Sequence, residues 1–120
     1  KAIGRDIAGT TDEQIIAANG YDDNFALSGE GMREVVVLKA PERGITMTVS
    51  TQLPGIQVYT ANKVQARVSK SGVPYGPHVG ICLETQQFPD AIHHANFPQA
   101  ILPAGEVCRH STTFQFGVEK

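Results

Sequence analysis

Ile45-Thr46-Met47-Thr48-Val49-Ser50 alternates apolar and hydroxylated or small polar residues without a break. With a period of two, Ile45, Met47 and Val49 fall on one face of an extended chain and Thr46, Thr48 and Ser50 on the other, so the stretch reads as a strand with one buried side. Upstream, Glu34-Val35-Val36-Val37-Leu38-Lys39 is a second strand, rich in β-branched residues that suit a pleated surface. Between them, Ala40-Pro41-Glu42-Arg43-Gly44 holds a proline that fixes one φ and a glycine free to take a positive one. Two strands joined by so short a connection form an antiparallel hairpin.

Outward from that hairpin the same grammar repeats. After Thr51-Gln52-Leu53-Pro54, the run Gly55-Ile56-Gln57-Val58-Tyr59-Thr60-Ala61-Asn62 puts Ile56, Val58 and Thr60 on one face and Gln57 and Tyr59 on the other. The second face is either a plain polar surface or one that offers an amide and a phenol to a polyhydroxylated ligand. Residues 63–77, with Lys63, Arg67, Lys70, Gly72, Pro74, Gly76 and Pro77, read as a mobile surface loop of the kind that rims a site. His110-Ser111-Thr112-Thr113-Phe114-Gln115-Phe116 alternates again as a last strand. Near the start, Thr11 or Asp12 caps a short helical turn that runs through Ala18 and stops at Asn19-Gly20, a pair tolerant of the left-handed region. About six short strands and one helical turn make an antiparallel all-β domain, sandwich-like.

Two stretches carry acids where they draw notice. Val79-Gly80-Ile81-Cys82-Leu83-Glu84-Thr85-Gln86 reads as a buried strand that takes one carboxylate, Glu84, inward. A buried acid costs several kcal/mol (roughly) unless paired, and its usual response, a raised pKa, is also how a general base is made. The other reading is a strand-end Glu, solvated or holding a loop. Tyr21-Asp22-Asp23-Asn24-Phe25-Ala26-Leu27 sets two carboxylates and an amide between aromatics. Here the local alternative is an Asx-type turn in which Asp22 or Asp23 accepts from nearby backbone.

The 120 residues bound the remaining choices: one domain at most, with a net charge of −2 and no run of Lys and Arg to contact phosphates. Nucleic acid and anionic membranes are therefore poor partners. No stretch approaches the length of a membrane-spanning helix, and the first residues lack a signal peptide's apolar core, so the expectation is a soluble, cytoplasmic chain. Cys82 and Cys108 read as two free, buried thiols in a reducing compartment. None of His78, His93, His94 and His110 sits at metal-ligand spacing with a second donor, and the adjacent pair His93-His94 reads as a loop cap.

Taken in order, the motifs at 21–27, 54–62 (Pro-Gly-Ile-Gln-Val-Tyr-Thr-Ala-Asn), 80–91 (Gly-Ile-Cys-Leu-Glu-Thr-Gln-Gln-Phe-Pro-Asp-Ala), 96–98 (Asn-Phe-Pro) and 103–106 (Pro-Ala-Gly-Glu) resemble the C-terminal part of the aldose 1-epimerases, or galactose mutarotases. The resemblance runs from about residue 6 onward and implies that residues 1–120 are the C-terminal part of a galactose mutarotase-like antiparallel β-sandwich. It further implies a cofactor-free interconversion of the α and β anomers of free hexoses such as glucose or galactose. On that resemblance Glu84 matches the general base, Asp22 the sugar-binding aspartate and Gln57 the sugar-contacting glutamine. Two departures stand out. Asp23 occupies a position where the family commonly has a histidine, and the family's general-acid histidine belongs to an N-terminal portion that these residues do not include. The resemblance therefore implies that the site is completed by a missing N-terminal portion of a longer protein, by a second chain that carries it, or through self-association. The alternative is a non-catalytic sugar-binding homologue, while a hexose-phosphate enzyme is disfavoured because no arginine cluster awaits a phosphate.

Overall fold

The computed structural model describes residues 1–119. In chain order its elements are the helix α1 (Glu13–Ala18) and the strands β1 (Asp22–Ala26), β2 (Arg33–Ala40), β3 (Ile45–Thr51), β4 (Gly55–Tyr59), β5 (Arg67–Val68), β6 (Pro74–Tyr75), β7 (Cys82–Gln86) and β8 (Thr112–Val118), with 3-10 turns at Ile3–Asp6 and Ala91–His93. Strands order as β1-β4-β7, β2-β3-β8 and β5-β6. The all-β class read from the alternating stretches is thus the class observed. Contacts divide the chain into two compact units, one of Lys1–Phe25 with Gln57–Glu84 and one of Ala26–Ile56 with Thr85 onward.

In the second unit the expected hairpin is present. β2 and β3 run antiparallel with Val36 opposite Val49, Leu38 opposite Met47 and Ala40 opposite Ile45, and the ladder shifts by one residue between Glu34 and Val36. That extra residue, Val35, is a bulge of the kind that bends one strand against its partner. Gly44 closes the turn at φ 68°, with its amide bonded to the Ala40 carbonyl at 2.8 Å. β8 joins the other side of β3, placing Phe114, Phe116 and Val118 opposite Val49, Met47 and Ile45. Where β3 ends the unit closes its core: Val49 and Thr51 are wholly buried and Leu53 and Ile56 nearly so. Thr51 keeps its hydroxyl satisfied there by meeting the Thr112 hydroxyl at 3.1 Å and accepting from the Leu53 amide at 3.2 Å. Thr112 in turn meets the hydroxyl of Thr85 at 2.6 Å. Arg33 ties the preceding loop to this end of the sheet, donating to the carbonyls of Ser28, Gly31, Thr51 and Leu53 at 2.8 to 3.1 Å.

The first unit begins with α1, capped as its sequence suggests. The Asp12 carboxylate accepts from the amides of Gln14 and Ile15, and Asn19 ends the helix in the left-handed region at φ 55°. Gly20 follows at φ 139° and gives its amide to Ile15 at 2.9 Å. There a buried polar cluster ties the entry of β1 to the exit of β4. The Tyr21 amide donates to the Thr60 hydroxyl (3.0 Å), that hydroxyl to Asn62 Oδ1 (2.6 Å), and Asn62 Nδ2 to the Tyr21 carbonyl (2.9 Å). Every group in the cycle has its partner, which is the condition for burying them at all. β1 and β4 run antiparallel, since the Leu27 amide bonds the Pro54 carbonyl (2.8 Å) and the Thr60 amide the Tyr21 carbonyl (3.1 Å), bonds equally spaced along both strands.

Three expectations are corrected. Residues 63–77 are not a plain loop: β5 and β6 pair antiparallel within them, turned at Gly72 (φ 81°), with Arg67 stacked 5.9 Å over the Tyr75 ring. Arg67 and Tyr75 supply an aromatic contact and Ser69 accepts from the Val73 amide at 3.0 Å, enough to hold so short a ribbon. Cys82 and Cys108 are free as expected but exposed, not buried. The strand read over 79–86 begins only at Cys82, and Val79 and Gly80 stand in solvent.

Candidate functional site

β4 lies between β1 and β7, so the three residues singled out in the sequence stand on three neighbouring strands: Asp22 at the start of β1, Gln57 in the middle of β4, Glu84 in the middle of β7. Two of them touch. Gln57 Nε2 donates to Asp22 Oδ1 at 3.0 Å. Asp22 and Gln57 thus share a face, and strand alternation adds Tyr59 to it. The phenolic oxygen of Tyr59 accepts the Lys63 amide at 2.9 Å, which pins the ring at the mouth of the following loop. The Asx-turn alternative for Asp22 and Asp23 gives way to strand β1, although Asp23 Oδ2 does accept from the Asp22 amide at 3.3 Å.

Glu84 differs from its sequence reading. It is exposed, not carried into the interior. The reason is the phase of β7: Leu83 and Thr85 take the half-buried positions, Thr85 through its bond to Thr112, and alternation turns Glu84 to the opposite side. Cys82 and Gln86 lie on the Glu84 side, and Cys82 is exposed with it.

An open hollow of about 410 Å³ in the first unit is lined in part by Asp23, Asn24 and Phe25 of β1. Tyr21, Ile15, Asp6 and Asp12 contribute to it as well. Asp22, Gln57 and Glu84 do not line it. Asp6, at its edge, has a carboxyl held below the ordinary carboxylate range, first by its bond from Lys1 and then by Arg5.

Each histidine has a local role. His78 Nδ1 meets the Thr60 carbonyl at 3.1 Å. His93 bonds one oxygen of Asp90, and His94 Nε2 lies 3.4 Å from the other, so the pair closes the loop after β7 as a cap. His110 Nδ1 is 3.7 Å from the thiol of Cys108. Sequence reasoning missed the Thr60–Asn62 cluster and the Arg33 clamp. The first had a signal, two hydrogen-bonding side chains two residues apart at the end of an otherwise apolar strand face. The second had only an arginine after Gly29 and Gly31.

The class of protein is set by a family model described as aldose 1-epimerase, which covers residues 1–115: the chain belongs to that family. The galactose mutarotase of Bos taurus is 39% identical over 102 residues, covering 83% of this chain and 30% of that protein. That of Homo sapiens is 38% identical with the same shares. The aldose 1-epimerase of Escherichia coli (strain K12) is 30% identical over 104 residues, again 83% of this chain and 30% of the relative. The chain therefore spans about a third of the length of the curated relatives it matches. No helix among the described residues is long and apolar enough to cross a membrane.

Proposed function

We propose that these residues carry the base-bearing part of an aldose 1-epimerase site, acting on the α and β anomers of a free hexose such as galactose or glucose. Glu84 accepts the proton of the anomeric hydroxyl while an acid protonates the ring oxygen. The bond between the anomeric carbon and the ring oxygen then breaks. The open-chain aldehyde turns its other face, and closure with the protons returned gives the second anomer. Asp22 and Gln57 hold hydroxyls of the sugar, Asp22 as a charged acceptor and Gln57 as its amide neighbour. The observation that carries this reading is the 3.0 Å bond from Gln57 to Asp22, with Gln57 on β4, the strand next to the one that bears Glu84. A general base must come within about 2.6–3.2 Å of the proton it takes, and the exposure of Glu84 leaves that approach open. The acid, on the family resemblance, comes from a portion of the family domain outside these residues.

The test is polarimetric: mutarotation of freshly dissolved α-galactose and α-glucose by the chain supplemented with the remainder of a family domain. Glu84→Gln should lower kcat by about a hundredfold or more, the usual worth of a positioned base, while sugar binding changes little. Sugar binding with no rate above the spontaneous one, in the unsubstituted protein, would instead make this a binding homologue.

A further inference from the structure

The segment that leads into β8 carries a thiol and an imidazole side by side. Cys108 Sγ lies 3.7 Å from His110 Nδ1. From spacing alone His110 has no partner donor; folded, it has one. Both residues are exposed, and the thiol is free. The backbone that bears them is anchored at both ends. Upstream, the Glu106 amide closes a turn on the Pro103 carbonyl at 3.1 Å, with Gly105 at φ 86°. Downstream, the Ser111 amide donates to Gln52 Oε1 at 2.9 Å, and the Ser111 carbonyl accepts from the Gln52 amide and the Thr51 hydroxyl at 3.4 Å each. Thr51 is wholly buried, so His110 is followed directly by a residue tied to the core. Held in this way, the two side chains need little rearrangement to act together.

The separation suits a metal better than a hydrogen bond, since S–H is a weak donor. Zinc bonds of about 2.3 Å to thiolate and about 2.0–2.1 Å to imidazole, set at the tetrahedral angle, put the two ligand atoms about 3.5–3.6 Å apart. The observed pair is within about 0.2 Å of that edge, the tolerance asked of a metal site. Thiolate and imidazole together select borderline to soft cations over Mg²⁺ and Ca²⁺, which take oxygen. Among the described residues no group of three or more His, Cys, Asp and Glu is gathered for a metal, so the pair supplies two positions and water the others. We infer that Cys108 and His110 are a two-ligand chelate for Zn²⁺ or a cation of like chemistry. On binding, the Cys108 thiol loses its proton to solvent and its sulfur bonds the cation, while His110 gives the lone pair of Nδ1 and keeps its proton on Nε2. The water-filled positions leave the cation exchangeable, and the exposure of both side chains leaves its approach open. Neither Glu84 nor Asp22 nor Gln57 is used, so the inference does not depend on the proposed function.

The experiment uses the 120-residue chain in metal-free buffer and zinc chloride as probe, with the alkylation of each thiol followed by mass spectrometry of its peptides. Cys82 is the internal control, since it too is free and exposed. Without metal both thiols should be modified at similar rates. Zinc should slow Cys108 about tenfold or more, because a metal-held sulfur is no longer a free nucleophile, and leave Cys82 within about twofold of its metal-free rate. Magnesium at the same concentration should slow neither. Co²⁺ in place of zinc should give the near-ultraviolet charge-transfer band of a cobalt–thiolate bond, and Cys108→Ser should abolish it. His110→Ala, an exposed change that leaves Cys108 in place, should raise the zinc needed for half protection about tenfold or more. The inference is overturned if zinc slows both thiols alike or neither, if magnesium protects Cys108 as zinc does, if His110→Ala is protected as well as the unsubstituted chain, or if cobalt gives no thiolate band.

Discussion

Gly20→Ala should be among the most damaging single-methyl changes in the chain. A β-carbon built on Gly20 would sit 2.2 Å from Asn62 Oδ1, 2.8 Å from Asn62 Cγ and 2.7 Å from Thr60 Oγ1. Neither neighbour is the free end of a flexible side chain. Both are buried, and both belong to the cycle that ties Tyr21 to the end of β4. At φ 139° the backbone itself is strained for any residue with a β-carbon, by roughly 1–3 kcal/mol. Moving the Asn62 amide strips a buried partner from the Thr60 hydroxyl and the Tyr21 carbonyl, which adds roughly 1–3 kcal/mol for a group left unpaired. The sum, roughly 2–6 kcal/mol, is a large part of the roughly 5–15 kcal/mol that holds a domain together. Gly31→Ala separates strain from collision, since Gly31 also has positive φ, 68°, but nothing lies within 4 Å of its would-be β-carbon. That change should cost roughly 1–2 kcal/mol. Urea unfolding followed by circular dichroism gives both values from the midpoints at constant m. In an Asn62→Ala background the added cost of Gly20→Ala should fall by about 1 kcal/mol or more, as expected for residues in direct contact. Equal midpoints for Gly20→Ala and Gly31→Ala would refute the collision and with it the role given to the polar cluster.

Thr51→Val keeps the volume of a wholly buried side chain but removes the hydroxyl that serves the Leu53 amide and Thr112; it should cost about 1–3 kcal/mol, read from the same unfolding curves, whereas Thr113→Val on the outer side should be near neutral. Asp22→Ala and Gln57→Ala should each cost little stability, and a double-mutant cycle should find a coupling of about 0.5–1 kcal/mol, small because the pair meets solvent. Cys82 and Cys108 should both react with a thiol reagent in the folded chain at rates near those of the unfolded one, since neither is bridged or buried. The Asp6 carboxyl should titrate below the usual carboxylate range in a carbon-detected NMR titration. Because its folded pKa is lowered, the Lys1 and Arg5 contacts help the fold above the unfolded carboxylate pKa, and that help is lost as pH falls through the folded value; Lys1→Ala should move the titration back up.

The elements legible in the sequence are those whose period is carried by side chains of opposite kind. Ile45–Ser50 alternates without exception, and β3 and its hairpin with β2 follow from it, with Gly44 turning where the positive φ was needed. The Asn19-Gly20 stop was legible for the same reason, while the cap was narrowed to Thr11 or Asp12 and falls to Asp12. The site was legible in part. Asp22 and Gln57 meet because both lie on one face of antiparallel neighbours, while the exposure of Glu84 depends on the phase of β7, which Thr85 and Thr112 set and which no run of six small or apolar residues reveals. The β5-β6 ribbon was hidden because Gly, Pro and Ser dominate its surroundings and only four residues pair. The exposed thiols escaped notice because a cysteine in an apolar run reads as core until its neighbours are known.

A titration of the isotopically labelled protein, seated with the remainder of a family domain, by galactose tests the proposed site most directly. The side-chain amide of Gln57 and the backbone amides of Asp22 and Glu84 should shift together along one binding curve, because a single sugar would reach all three strands. Shifts at Gln57 and Asp22 with Glu84 left unmoved would contradict the assignment of Glu84 as the base.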